Sequence, residues 1–344
     1  MKGLRKYLTP FAPDQSGAAS VLYDLGGILV IVDAGGCAGN ICGFDEPRWT
    51  GQRSAIFSAG LRDMDAILGR DDRLVEKLRE TAARIDAGFA ALIGTPVPAV
   101  IGTDFEALRR MAEKKTGLRV LSVACCGMKL YDQGASAAYR AMVETLTEDV
   151  DYVNKGRVGV FGAYPLELGA LSEGEALKAA LLSQGWERAD LYGLGADLEV
   201  LKTAGAAEKN LVASPAGLAA AKYLRQRFGT PYEVRYPDRT PLPPAEGKRV
   251  LVVHQQVRAN SLRERLLEAG AARVDVASWF MMLPELRAPG DVQLREEDDF
   301  TALVREGGYD LILGDRVMEP MAAGFSGQWL DLPHFAVSGK QVVV

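Results

Sequence analysis

The sequence predicts an α/β protein of three units, each built on a parallel sheet with helices on both faces. Two observations carry that expectation. Short apolar, β-branched runs alternate with longer amphipathic segments almost throughout the 344 residues. Parallel strands require crossover connections, so strand–helix–strand alternation implies parallel sheets. Two interruptions then divide the chain. Residues 148–157 (EDVDYVNKGR) are polar and end in a turn signal, and 237–247 (PDRTPLPPAEG) hold four of the sixteen prolines, a density that fits neither helix nor inner strand. The units expected are 1–150, 151–237 and 247–344.

In the first unit the run 25–33 (LGGILVIVD) reads as a buried strand, followed by strands at 54–59, 89–94 and 118–124. Helices are expected over 71–87, where Leu74, Leu78, Ala82 and Ile85 recur at helical spacing, and over 103–116 and 134–147. The second unit offers strands 158–163, 187–192 and 210–214 and helices 174–184 and 215–228. The third offers strands 249–255, 272–278, 310–314 and 334–338 and a helix over 258–269.

Composition narrows the function. Hydrophobic content of 48% and charged content of 25% are ordinary for a globular protein, and a core of this size needs neither metal nor disulfide to fold. A net charge of −5 without a basic run argues against a nucleic-acid partner. The basic start, MKGLRK, is not followed by an apolar stretch, and the run around 25–32 is far short of the ~20 residues of a membrane span. The expectation is a cytoplasmic protein with no membrane association. Thiols stay reduced there, which leaves Cys37, Cys42, Cys125 and Cys126 free for ligation rather than structural disulfides.

Cys37 and Cys42 lie in DAGGCAGNICGFDEPRW, directly after the first strand, where open α/β sheets place their chemistry. Gly35, Gly36, Gly39 and Gly43 leave little side chain for a core and allow close backbone approach to a bulky group. The alternative is two small buried residues. The only histidines are His254 and His334, so this loop alone cannot supply a four-ligand zinc site. Two thiolates are half of a Cys₄ iron–sulfur site, and a second copy across a two-fold axis would supply the rest. Cys125 and Cys126 are neighbours on an extended segment and point to opposite sides, which favours one core and one loop cysteine. Gly127, Met128, Lys129 and Gln133 fall in the loop entering the next helix, whose N-terminus either receives an anionic group or is an ordinary connection. His254, Gln255 and Arg258 end another strand as candidate substrate contacts, and His334 reads as structural. No Walker A, GxSxG or HExxH pattern occurs, so ATP binding by this chain is not expected.

GGCAGN (35–40), SAIFSAGLRDMDAIL (54–68), PVPAVIGTDFEAL (96–108), VACCGMKLYDQG (123–134), KNLVASPAGLAAAKYLRQRFGTPY (209–232), KRVLVVH (248–254) and YDLILGD (309–315) occur in that order. Together they resemble nitrogenase component 1-type oxidoreductases. That group includes nitrogenase subunits, their cofactor-assembly scaffolds, the dark-operative protochlorophyllide reductase and a nickel-tetrapyrrole reductive cyclase. The resemblance implies three Rossmann-like domains, pairing into a homodimer or with a related chain, and an iron–sulfur cluster at the subunit interface. It also implies an ATP-dependent iron protein as electron donor, with Cys37 at a family cluster position.

The departures shape the expectation. Family cysteines near Phe11–Ser16 and near Pro96 are missing, the cofactor-binding cysteine corresponds to Ser214, and the cofactor-binding histidine falls around Ser338. Nitrogen fixation on an iron–molybdenum cofactor is therefore not expected. Cys37 and Cys42 from each of two chains would instead hold one [4Fe-4S] cluster. The cluster would relay electrons to a tetrapyrrole or other small molecule in a roomy cleft walled by 127–133 and 254–258. The alternatives are a non-catalytic scaffold for metallocofactor assembly and a metal-free binding protein with inert cysteines.

Overall fold

In the computed structural model, which describes residues 5–51 and 54–340, the apolar runs become three sheets whose strands all pair in parallel. Residues 1–4 of the basic start lie outside the described residues. The first part of the chain runs α1 (Asp14–Leu22), β1 (Ile28–Ile31), α2 (Gly36–Asn40), β2 (Ala55–Ser58), α3 (Asp63–Leu68), α4 (Asp71–Ala82), β3 (Phe89–Ile93), α5 (Pro96–Ile101), α6 (Phe105–Thr116), β4 (Arg119–Val123) and α7 (Tyr131–Leu146). Its sheet has the order β2-β1-β3-β4. The second comprises β5 (Asn154–Phe161), α8 (Glu173–Leu182), β6 (Arg188–Tyr192), α9 (Leu198–Lys202), β7 (Ala207–Val212), α10 (Leu218–Phe228) and β8 (Tyr232–Val234), in the order β6-β5-β7-β8. The third comprises β9 (Arg249–Val253), α11 (Gln256–Glu268), β10 (Arg273–Ser278), β11 (Val292–Gln293), α12 (Glu297–Gly307), β12 (Leu311–Gly314), β13 (Gln328–Asp331) and α13 (Phe335–Ser338), in the order β11-β10-β9-β12-β13.

The sequence logic holds locally. β1 and β3 are buried at every position, which is why they read as continuous apolar runs rather than alternating ones. On α4 the buried residues are Leu74, Val75 and Leu78. The Asp104 side chain caps α6 by accepting from the Glu106 and Ala107 N–H groups, and Gly117 at φ 73° ends it. No described helix is long and apolar enough to cross a membrane.

Three readings are corrected and one helix is new. Residues 334–338 form the short helix α13 rather than a strand, stopped by Gly339 in the left-handed region at φ 63°. The polar break at 148–157 already contains the start of β5. Helix α7 begins at Tyr131, three residues early. The buried helix α1 escaped detection because its small residues are covered on all sides and show no stripe. It packs so closely on α7 that a Cβ at Gly17 would stand 1.9 Å from the Tyr131 carbonyl, and one at Gly134 1.8 Å from that of Asp14. The edge strands β8 and β11, of three and two residues, are too short to show a pattern, and β13 also lies outside the strands expected.

In each sheet the strand order reverses between the first strand of the unit and a later one: β1 and β3, β5 and β7, β9 and β12. Open α/β sheets bind ligands in the crevice at the carboxyl ends of strands flanking such a reversal.

Candidate functional site

At the first reversal, β1 ends into Asp33, a buried carboxylate that accepts the Ala38 N–H (2.9 Å) and the Ser58 hydroxyl (2.5 Å). Gly35, at φ 119°, makes the left-handed turn into α2, a conformation open to glycine. Cys37 therefore sits in the first turn of α2, half-buried, with its thiol against the hydroxyl of Thr95. Thr95 lies just past β3 and its hydroxyl donates to the Val32 carbonyl at 2.8 Å. These bonds hold Cys37 in the crevice between β1 and β3.

The segment read as a glycine loop is two helical turns, because Asp33 holds α2 and Ile41 is buried beneath it. α2 runs into a π turn, Ile41–Asp45, that carries the half-buried Cys42. Single π turns recur at functional sites. Asp45 accepts the Ser16 hydroxyl at 2.6 Å, tying the turn to α1. Behind it, buried Arg48 chelates Glu46 through Nε and Nη2 (both 2.7 Å), pairs with Asp24 (2.7 Å), and donates to the Ser20 and Gly193 carbonyls (2.6 and 3.2 Å). Ideal Cβ atoms at Gly36, Gly39 and Gly43 would meet nothing within 4 Å. Packing inside the chain does not require these glycines, and they present bare backbone outward beside both thiols.

Burial, then the Asp33 carboxylate, pushes the Cys37 thiol up from its ordinary value; burial, then Glu46, does the same to Cys42. Both are protonated at neutral pH, and a soft metal would have to displace those protons. Among the described residues no group of three or more His, Cys, Asp or Glu side chains could hold a metal ion. Cys37 and Cys42 lie on consecutive turns of one segment, and two thiols are the number that half of a four-thiolate site needs.

The remaining cysteines divide between core and loop. Cys125 is buried and Cys126 half-buried. The Asp14 carboxylate accepts the Cys126 and Gly127 N–H groups at 2.9 and 2.7 Å. Gly127, at φ 71°, packs where a Cβ would be 2.4 Å from Pro96. Met128, Lys129 and Gln133 are exposed on the surface. At this helix start the buried Asp132 accepts the Gln133 N–H (2.9 Å) and, from the third unit, the Met281 N–H (2.5 Å).

His254, Gln255 and Arg258 lie elsewhere, where residues of all three units meet; the histidine side of this junction is packed, and Arg258 lines a cavity beside it. His254 stacks on His334 with ring centroids 4.2 Å apart and 9° between planes. His334 Nε2 lies 3.2 Å from the Tyr131 hydroxyl and 3.5 Å from Glu167 Oε2. Tyr131, Tyr164, Glu167, Ser214, Phe280 and both histidines are all buried. Gln255 Nε2 donates to the Ala213 carbonyl at 2.7 Å, joining the third sheet to the second. Burial, then His334 and Arg258, holds His254 well below its ordinary value. Sequence reasoning does not reach Asp14, Arg48 or Glu167, whose partners lie far along the chain, as Gly127 does from Asp14 and Gly193 from Arg48; the buried, stacked His334 fits its structural reading.

Comparison with known proteins bears on the whole arrangement. The pattern described as "Nitrogenase component 1 type Oxidoreductase" matches residues 16–237. A "Nitrogenase iron-molybdenum cofactor biosynthesis protein NifE" of Methanococcus maripaludis is 28% identical over 112 residues, 31% of this chain and 23% of that protein, so the match spans about a quarter of the relative. Two solved structures share the fold. "Nitrogenase Cp1 at pH 6.5" has a TM-score of 0.71 at 13% identity, covering 96% of this chain and 87% of that one. "Nitrogenase Cp1 at pH 5" has a TM-score of 0.69 at 14% identity, covering 97% and 85%.

Proposed function

Since the chain belongs to the nitrogenase component 1-type oxidoreductase family, we propose that it is the electron-relay subunit of a cytoplasmic nitrogenase-like reductase, with units 1–150, 151–237 and 247–344. Cys37 and Cys42 from each of two chains, identical or related, would hold one [4Fe-4S] cluster on the two-fold axis. Such a cluster supplies one-electron storage and release. Asp33 and Thr95 orient Cys37, while Asp45 and Arg48 fix the turn that carries Cys42. The observation that carries this reading is the half-buried Cys37 at the reversal point of the first sheet, beside glycines whose bare backbone faces outward.

Exposed apolar side chains supply a second support. Phe44, Ile67, Val100 and Met128 each follow a different strand of the first sheet, at the same carboxyl edge as the thiols. An exposed apolar group of this kind suits a protein partner, here the second subunit and an ATP-dependent iron protein that delivers electrons. The packed junction does not support a tetrapyrrole held at the centre of this chain. The scaffold reading rests on a different observation, the partial likeness to a protein described as acting in cofactor biosynthesis.

Anaerobic expression followed by iron and sulfide assay tests the ligands. About four irons per two chains are expected, and none in the Cys37→Ala, Cys42→Ala double variant; iron retained by that variant overturns the assignment. Product formation with an iron protein and ATP supports the reductase, and cofactor held without turnover supports the scaffold.

A further inference from the structure

Beside the closed junction, a cavity of about 340 Å³ opens on the seam between the second and third sheets. Helix α8 supplies one wall, the 236–240 linker another and residues 331–333 the third, while Arg258 closes the floor. We propose that this cavity binds a small zwitterion of α-amino-acid size, its carboxylate held by Arg258. The inference does not depend on the thiol assignment.

Arg258 is only 6% exposed. Its Nε donates to Asp238 at 2.8 Å and its Nη1 to Glu173 at 3.0 Å, and its guanidinium lies 4.9 Å from the Tyr236 ring centroid. Among the described residues no hydrogen bond reaches Nη2. A guanidinium has five N–H donors in a fixed fork, and a buried one with an open edge toward a cavity is suited to a planar acceptor such as a carboxylate.

Charge selects the rest of the ligand. Glu173, Asp238 and Asp331 face the cavity with Arg239 and Arg258, and Arg265 shares Asp238 from behind at 3.2 Å. Cations and anions balance, so a ligand with net charge gains nothing from the surroundings. A ligand carrying one charge of each sign pairs with both sets, its ammonium facing Glu173 or Asp331. The volume lies at the lower end of the range of ~300–1,000 Å³ for small-molecule sites. The location also fits the topology. The crevice at the carboxyl end of β9 is filled by the two stacked histidines, with His254 Nε2 lying 3.5 Å from Arg258 Nη1, and the cavity is the adjoining space.

Calorimetric titration with each of the twenty L-α-amino acids tests the proposal, using wild-type protein and the Cys37→Ser, Cys42→Ser variant, with acetate and methylamine as half-ligands. At least one amino acid is expected to bind both proteins with a submillimolar Kd, roughly tenfold or more tighter than either half-ligand. Ala176→Trp, which fills the cavity from the exposed face of α8 and has no bond to Arg258 or its carboxylate partners, and Arg258→Lys should each weaken binding by roughly tenfold or more. Absence of binding by every amino acid overturns the site, as does binding unchanged by Ala176→Trp. Acetate bound as tightly as the amino acid overturns the zwitterion.

Discussion

The carboxyl edge of the first sheet and the junction of the second and third sheets occupy equivalent topological positions and hold opposite contents. Past β1 the chain enters glycines and two half-buried thiols, with exposed apolar side chains around them. Past β5, β7 and β9 it enters Tyr164, Ser214 and His254, all buried. A reversal of strand order creates a crevice in each case. What fills it decides its use. Small residues leave the first crevice available to another molecule, whereas rings and a buried carboxylate convert the others into the joint that holds three sheets together.

The largest expected effect probes the joint. Phe280 is 2% exposed and sits 4.8 Å from Tyr131 and 5.1 Å from His334, centroid to centroid. Phe280→Ala should cost about 3–5 kcal/mol in urea unfolding. A loss below about 1 kcal/mol would mean that the junction is loosely packed and that the contrast with the first edge fails.

A smaller effect tests how dry the joint is. His254 is held neutral well below its ordinary value by burial and by His334 and Arg258. The unfolded chain therefore takes up a proton first as pH falls. The contribution is intact above about pH 6.5 and is lost below it, by up to about 1.4 kcal/mol per pH unit. Asp132 runs the other way. Burial, opposed by hydrogen bonds from Met281 and Gln133, raises its carboxyl to about 6, so stability falls as pH rises from about 4 to 6. In wild-type protein the two slopes offset each other. Relative to wild type, His254→Phe should turn the slope of urea stability between about pH 4 and 6 towards decline with rising pH. An unchanged profile would place His254 in contact with water.

The smallest effect probes the open edge. Gly36 lies in a helical turn with nothing near its would-be Cβ. Gly36→Ala should stabilise the protein by about 0.5–1 kcal/mol through lower chain entropy and better helix propensity. A destabilisation would mean that this edge is packed after all.

Much of this was legible in the residues. The α/β class, the division into three sheets and most strands follow from apolar runs and helical stripes, and Cys37 and Cys42 stand out because glycine surrounds them immediately after a buried strand. The elements that escaped have physical reasons. Helix α1 is covered on every side, so it has no polar face to mark it. The short edge strands carry too few residues for a pattern. His254 and His334 look unrelated along the chain, yet they stack because β9 and the segment before α13 end at one point.

Local chemistry thus determined the elements, the family resemblance and the thiol pair, since periodicity, glycine conformation and ligand softness are properties of neighbouring residues. Tertiary structure alone decided which crevice stays open. Closure depends on side chains from distant segments meeting in one volume, as Tyr131, Glu167, His254 and His334 do, and pairings at that separation have no signature in local spacing.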